Sequence, residues 1–172
     1  MRILRIALWS LAAIAVVAVV AFLNYYLPST EVVRVTGTDV KRMDARKPDA
    51  AGIERSRDVR FISTMEFDGT DPITFRNEDT GWGFPFYFKF DSGDLTTEIQ
   101  NIIAADPQTP VAVTYYGWRV QIFDLYPNAV SVSRVSADHT PIPYTTILVI
   151  LLLAAFAVWL FLRIRRWRAS RY

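Results

Sequence analysis

SGDLTTEIQNIIAADP, residues 92–107, is the one stretch between the chain's two apolar ends whose hydrophobic residues recur with a helical period. Leu95, Ile99, Ile102 and Ile103 stand at i, i+4, i+7 and i+8, one face of an amphipathic helix. Ser92 or Asp94 is expected to cap its start, and Pro107 stops it. On both sides the period is two. Val33 and Val35 share one face of a strand over residues 31–43, with Gly37 marking a bulge or bend. Residues 46–56, with Pro48 and Gly52, read as a loop. Val59, Phe61, Met65 and Phe67 alternate with polar neighbours in a second strand, and Asp68-Gly69 turns the chain into a third around Ile73 and Phe75. Beyond the helix, Val111 and Val113 open a fourth strand, and Val130 and Val132 mark a fifth. The order β-β-β-α-β-β, with a long first strand and a helix between the third and fourth, is that of an OB-fold-like barrel.

The ends of the chain set the frame around this domain. The sequence has 172 residues, 52% of them hydrophobic. Residues 6–23 hold Ser10 as their only polar member, and residues 147–162 are apolar without interruption. Each stretch is long enough to cross a bilayer core. All 17 acidic residues lie between Glu31 and Asp138, whereas Arg2, Arg5, Arg163, Arg165, Arg166, Arg168 and Arg171 lie outside the apolar stretches with no acidic neighbour. By the positive-inside rule both termini are expected in the cytoplasm and the middle domain across the membrane from them. The expected organisation is a cytoplasmic N-terminus at 1–5, transmembrane helices at 6–27 and 144–162, a mainly-β extracytoplasmic domain at 28–143 and a basic cytoplasmic tail at 163–172. A cleaved signal peptide is the rival for the first span; the length of its apolar run, the lack of a small-x-small site before Asn24 and the interfacial pair Tyr25-Tyr26 favour retention.

Composition narrows the chemistry. No cysteine is present, which removes disulfides, thiolate nucleophiles and Cys-ligated metals. His139 is the only histidine and lies in the connector to the second span, so neither a multi-histidine metal site nor a convincing catalytic triad can be assembled. No cofactor is expected. The middle domain keeps twelve basic residues against 17 acidic ones, the wrong balance for nucleic acid. The acidic turn at Asp68 and Asp71 falls short of a calcium loop. Glu78-Asp79 and Asp91 with Asp94 are the only carboxylate pairs an enzyme would use, and turns take such residues without any catalytic duty, so a non-enzyme is expected.

Three features stand out as candidate sites. Trp82, Phe84, Phe86, Phe88 and Phe90 fall on alternate positions. This aromatic face is expected to enter the core along an edge segment that tolerates Pro85, with Trp82 between two glycines as the member that protrudes; an exposed ligand platform is the other reading. Gly117-Trp118-Arg119 interrupts the chain where an OB barrel presents a binding loop, with Arg119 offering a planar fork of donors to a ligand or partner. The plainer alternative has Trp118 plugging the barrel and Arg119 neutralising a carboxylate. Finally, Arg165, Arg166, Arg168 and Arg171 are expected to meet the anionic lipid surface; the plainer alternative is a topology signal with no lipid role.

The runs Arg57-Asp58-Val59-Arg60-Phe61-Ile62, Arg76-Asn77-Glu78-Asp79-Thr80-Gly81-Trp82-Gly83, Phe88-Lys89-Phe90-Asp91-Ser92, Tyr116-Gly117-Trp118-Arg119 and Tyr126-Pro127-Asn128 resemble a family of bacterial inner-membrane proteins of unknown function, numbered fifteen twenty-three. The resemblance extends over nearly the whole chain. It implies an inner-membrane home with a periplasmic domain, and no activity. The expected role is a membrane-anchored periplasmic interaction module, an accessory subunit of an envelope or respiratory complex; the alternative is a ligand-binding or sensing module that uses the OB-like loops. The expected partners are the bilayer and other membrane or periplasmic subunits.

Overall fold

The computed structural model describes residues 2–44 and 56–169. Between two long helices, α1 (Arg2–Tyr26) and α3 (Tyr144–Ala169), lie five strands and a helix: β1 (Ser29–Asp44), β2 (Ser56–Glu66), β3 (Pro72–Asn77), α2 (Ser92–Ala105), β4 (Pro110–Tyr116) and β5 (Asn128–Arg134). The strands close into a barrel in the order β1-β2-β3-β5-β4, with β1 returning to pair with β4. Closure depends on the length of β1: its first residues pair antiparallel with β4, its later ones with β2, and the two ladders overlap at Val33 and Arg34. The register breaks between Val35 and Gly37, the bulge expected at this glycine, and bends the strand as it passes from its ladder with β4 to its ladder with β2. Of the stretch 46–56, read from sequence as a loop, Ser56 opens β2 and the rest lies outside the described residues.

The core follows from the strand alternation and the helix face. Val33, Val35, Ile62, Phe75, Val111, Val113, Ala129 and Val132 point into the barrel, and Leu95, Ile99 and Ile102 of α2 complete the cluster. Each of these three helix residues contributes about 1.5–3 kcal/mol by leaving water. The helix stops at Ala105, two residues before Pro107. Its start differs from expectation, because neither Ser92 nor Asp94 caps it. Asp79, from the loop after β3, accepts hydrogen bonds from both the Ser92 amide and the Ser92 hydroxyl at 2.9 Å, supplying the helix end with a carboxylate from outside the helix.

Two strand faces also differ from the alternation. In β2 the inward residues are Ile62 and Thr64, in register with Phe75 and Ile73 of β3. Val59 and Phe61 occupy the opposite face, where the Phe61 ring is covered by Tyr126 at 5.0 Å and by the Lys41 ammonium at 5.4 Å. This strand is buried on both faces, Val59 and Phe61 on one and Ile62 and Thr64 on the other, so the apolar period named the outer face rather than the one that enters the barrel. In β5 a bulge opposite Thr114 and Tyr115 sets Val130 out of step, and Ala129 with Val132 fills the core.

The α1 helix contains an apolar stretch, Arg5–Tyr26, and α3 another, Tyr144–Trp167, each long enough to cross a membrane and neither buried within the protein.

Candidate functional site

The end of α1 and the barrel meet through backbone and side-chain bonds that involve three consecutive helix residues. Asn24 Oδ1 accepts from the indole of Trp118 at 2.8 Å, the Tyr25 carbonyl accepts from the Gly117 amide at 2.8 Å, and the Tyr26 carbonyl accepts from the Tyr87 hydroxyl at 2.5 Å. The last carbonyls of a helix have no partner within it, and two of these bonds supply one. Gly117 adopts φ of +95°, a left-handed conformation that lets β4 turn sharply toward α1. Trp118 therefore does not plug the barrel: it is 41% exposed and packs edge-on against Tyr25 at 5.3 Å.

Arg119 stacks on Tyr126, its guanidinium 3.8 Å from the ring centroid, rather than on Trp118. It donates to the Leu125 carbonyl at 2.9 Å and lies 3.7 Å from Asp124. The ring it covers in turn covers Phe61, so Arg119, Tyr126, Phe61 and Lys41 form one stack along the outside of the barrel. Beside this loop opens a cleft of about 390 Å³ lined by Glu31, Ile73, Tyr115, Gly117, Trp118 and Arg119 among others. Within it Tyr115 donates to Glu31 Oε1 at 2.7 Å, and burial together with that carboxylate holds the phenol well above its usual pKa. The arrangement offers a carboxylate, a phenol and a guanidinium edge around an apolar floor, the means to hold a small polar ligand. His139 is exposed on the wall of a second, acidic cleft with Glu31, Glu66 and Asp71.

The aromatic face is where expectation and structure part most sharply. Trp82, Phe84, Phe86, Phe88 and Phe90 are all between 52% and 80% exposed, and the segment forms no strand. The alternation is real but inverted, because the odd positions point inward. Tyr87 reaches Tyr26 and stacks on Tyr116 at 4.9 Å, and Lys89, only 3% exposed, donates to Asn77 Oδ1 at 2.5 Å and to the Ala129 carbonyl at 2.6 Å. Two side chains with polar tips have fixed acceptors, buried for Lys89 and part-buried for Tyr87, and the intervening rings are left outside. Phe88 is held at φ of +50° between them, a cost of about 1–2 kcal/mol for a residue with a Cβ. The Lys89 carbonyl fastens the turn by accepting from the Thr80 and Gly81 amides, both at 3.1 Å.

Lys89 belongs to a polar seam that sequence reasoning missed. β3 and β5 run parallel and share a single register pair, Arg76 with Asn128, so this edge of the barrel is poor in ladder bonds. Side chains replace them. Asn128 accepts from the Glu78 amide at 2.9 Å and donates to the Glu78 carbonyl at 3.0 Å, as a strand backbone would. Asn77 donates to the Ser92 carbonyl and to Thr96, joining the seam to α2. Burial lowers the Lys89 pKa to about 8, against the opposing pull of Asp91, Asp79 and Glu78. The available signal was the pairing of a tyrosine and a lysine in the same phase between aromatic rings.

The basic tail is described in part. Arg165 and Arg166 are exposed on α3, and Arg163 lies over the Trp159 ring at 5.3 Å. The Arg168 side chain and Arg171 lie outside what is described.

A closed five-stranded barrel between two long apolar helices is the class of protein that these elements define. The family described as Protein of unknown function (DUF1523) matches residues 4–168, and the chain belongs to it. It is similar to an uncharacterized protein of Haemophilus influenzae, 44% identical over 121 residues that cover 69% of this chain and 68% of that one. No solved structure matches.

Proposed function

We propose that this chain is a two-pass protein of the bacterial inner membrane, with both termini in the cytoplasm, which holds an OB-fold-like barrel in the periplasm as an interaction module. Its role is that of an accessory subunit in a larger envelope complex rather than an enzyme. The observation that carries this reading is the grip of the barrel on α1, three hydrogen bonds from Gly117, Trp118 and Tyr87 to consecutive helix residues. A domain fastened in this way presents a defined face to a neighbour in the membrane, which a freely tethered domain does not. The segregation of arginines supports the orientation. The basic tail, Arg165, Arg166, Arg168 and Arg171 included, lies in this reading at the anionic cytoplasmic surface. One of the two carboxylate pairs has structural duties that fit the non-enzymatic reading: Asp79 caps α2, and Glu78 binds Arg76 at 2.8 Å.

Purification of the full chain from solubilised membranes, with its companions identified, tests the proposal. Stable companion subunits are expected with the parent chain. Arg119→Ala, which removes an exposed cation from the barrel's outer stack, is expected to fold and to lose them. A chain that purifies alone from every mild detergent overturns the subunit role. The cleft beside Trp118 favours a second reading, a ligand sensor; a small molecule retained by the lone chain and released by Glu31→Gln would establish it.

A further inference from the structure

We infer that the ring-bearing segment 82–90 is an interfacial membrane anchor, inserted among the lipid headgroups and upper acyl chains beside the end of α1. The inference rests on the proposed crossing of the membrane by α1. The rings form one unbroken path: Phe90 meets Trp82 at 5.2 Å, Trp82 meets Phe88 at 5.7 Å, Phe88 meets Phe86 at 6.1 Å and Phe86 meets Phe84 at 5.6 Å. Phe84 then packs on two α1 residues, Tyr26 at 4.5 Å and Phe22 at 5.9 Å. Phe22 is part of the apolar span and is itself about half exposed. Whatever medium bathes Phe22 therefore bathes the ring stacked on it.

Depth and charge point the same way. Phe22 and Tyr26 are one turn apart, about 6 Å along the helix axis, so Phe84 is held at the final turn of the span. Interfacial segments bury their apolar faces about 5–10 Å into the boundary between headgroups and acyl chains, and aromatic rings favour that boundary. Between Thr80 and Phe90 the only charged residue is Lys89, and its ammonium is turned into the barrel seam. Five exposed rings without an exposed charge among them are a poor surface for water. Lipid is the occupant because the patch is continuous with the flank of a membrane-length helix, and because Tyr87 and Lys89 fasten it from behind at fixed depth.

The test uses the full chain in phosphatidylcholine vesicles and exploits the lack of native cysteine. Single cysteines at Phe86→Cys, Trp82→Cys, Ile14→Cys and Glu98→Cys receive an environment-sensitive fluorophore. Quenching is then compared between lipids carrying a nitroxide near the headgroup, lipids carrying one at mid-chain, and a water-soluble quencher. Positions 86 and 82 replace exposed rings, so at least one of the two variants is expected to fold. The expected result is mid-chain quenching at 14, and headgroup-level quenching at 86 and 82 several-fold stronger than at 98 on α2. If 14 is embedded while 86 and 82 respond to the aqueous quencher as 98 does, the anchor is overturned and the span stands. Protection from all three quenchers at 86 and 82 means that protein covers the rings, from α3 or a second copy, and also overturns it. A label at 14 that no lipid quenches removes the span, and the anchor with it.

Discussion

Lys89 is a buried ammonium with two backbone-like acceptors and three carboxylates at a distance. Its pKa is lowered to about 8, chiefly by burial, while an unfolded chain restores the ordinary value near 10.5. A cation whose folded pKa is depressed binds its proton less readily in the native state than in the unfolded one, so stability rises with pH between those two values. Tyrosine acts in the opposite direction. Burial pushes Tyr87 up to about 12 and raises Tyr115 and Tyr116 as well, so these phenols lose stability as pH climbs past about 10. The barrel should therefore gain resistance to urea from about pH 8 to about pH 10 and lose it beyond, read from the unfolding midpoint of the detergent-solubilised chain. Lys89→Met should flatten the rising limb. It should also cost about 2–4 kcal/mol near neutral pH, because Asn77 Oδ1 and the Ala129 carbonyl become buried acceptors without a donor. Met in place of Lys89 with an unchanged rising limb would assign the pH dependence elsewhere. The role of this lysine was not legible in the sequence: a lysine between phenylalanines is ordinarily the solvent-facing member, and its acceptors lie 12 and 40 residues away along the chain.

At the scale of elements, strand order was legible and strand phase was not always so. A hydrophobic period of two names a strand without naming its inner face. In β2, Phe61 and Ile62 are both buried, and only pairing with Phe75 puts Ile62 inside. The α2 face was unambiguous because Leu95, Ile99 and Ile102 have no apolar rivals on the other side of the helix. The junction between α1 and the barrel was illegible for a different reason. It joins Asn24, Tyr25 and Tyr26 to residues 61 to 94 positions away, and no local pattern carries that information. Trp118 is the test of this junction. A core tryptophan would cost about 3–5 kcal/mol on truncation, whereas this half-exposed ring, held by one bond to Asn24 and one edge contact with Tyr25, should cost about 1–2 kcal/mol as Trp118→Ala. The larger effect should be geometric. Spin labels on the tip of α1 and on α2 should give a narrow distance distribution in the parent and a broad one in Trp118→Ala, with Trp118→Phe, which keeps a ring but loses the donor, in between. A loss of barrel stability as large as that of a core residue, with the distribution still narrow, would return Trp118 to the plug role.

For the whole molecule, the proposed topology turns on the side of a membrane on which the barrel would stand, and the charges that set it lie outside the barrel in the sequence. Seven arginines flank the two apolar stretches with no acidic residue among them, while the part between them is net acidic. The energetic basis is asymmetric. Basic flanks are retained on the cytoplasmic side during insertion, whereas acidic residues contribute little to orientation, so the acidic barrel follows from its helices rather than directing them. The rings of residues 82–90 and the tyrosines that end α1 would then lie at the outer interface. The tail at Arg165 and Arg166 would lie at the inner one. Cysteine scanning decides this, since the chain has no cysteine of its own. Thr97, exposed on α2, reports the side on which the barrel stands. In intact spheroplasts Thr97→Cys should react with a membrane-impermeant maleimide, and Ser170→Cys should react only after the membrane is permeabilised. The opposite pattern would invert the protein. Labelling of both positions without permeabilisation would mean an odd number of crossings, and would leave the arginines at one end of the chain without their orienting role.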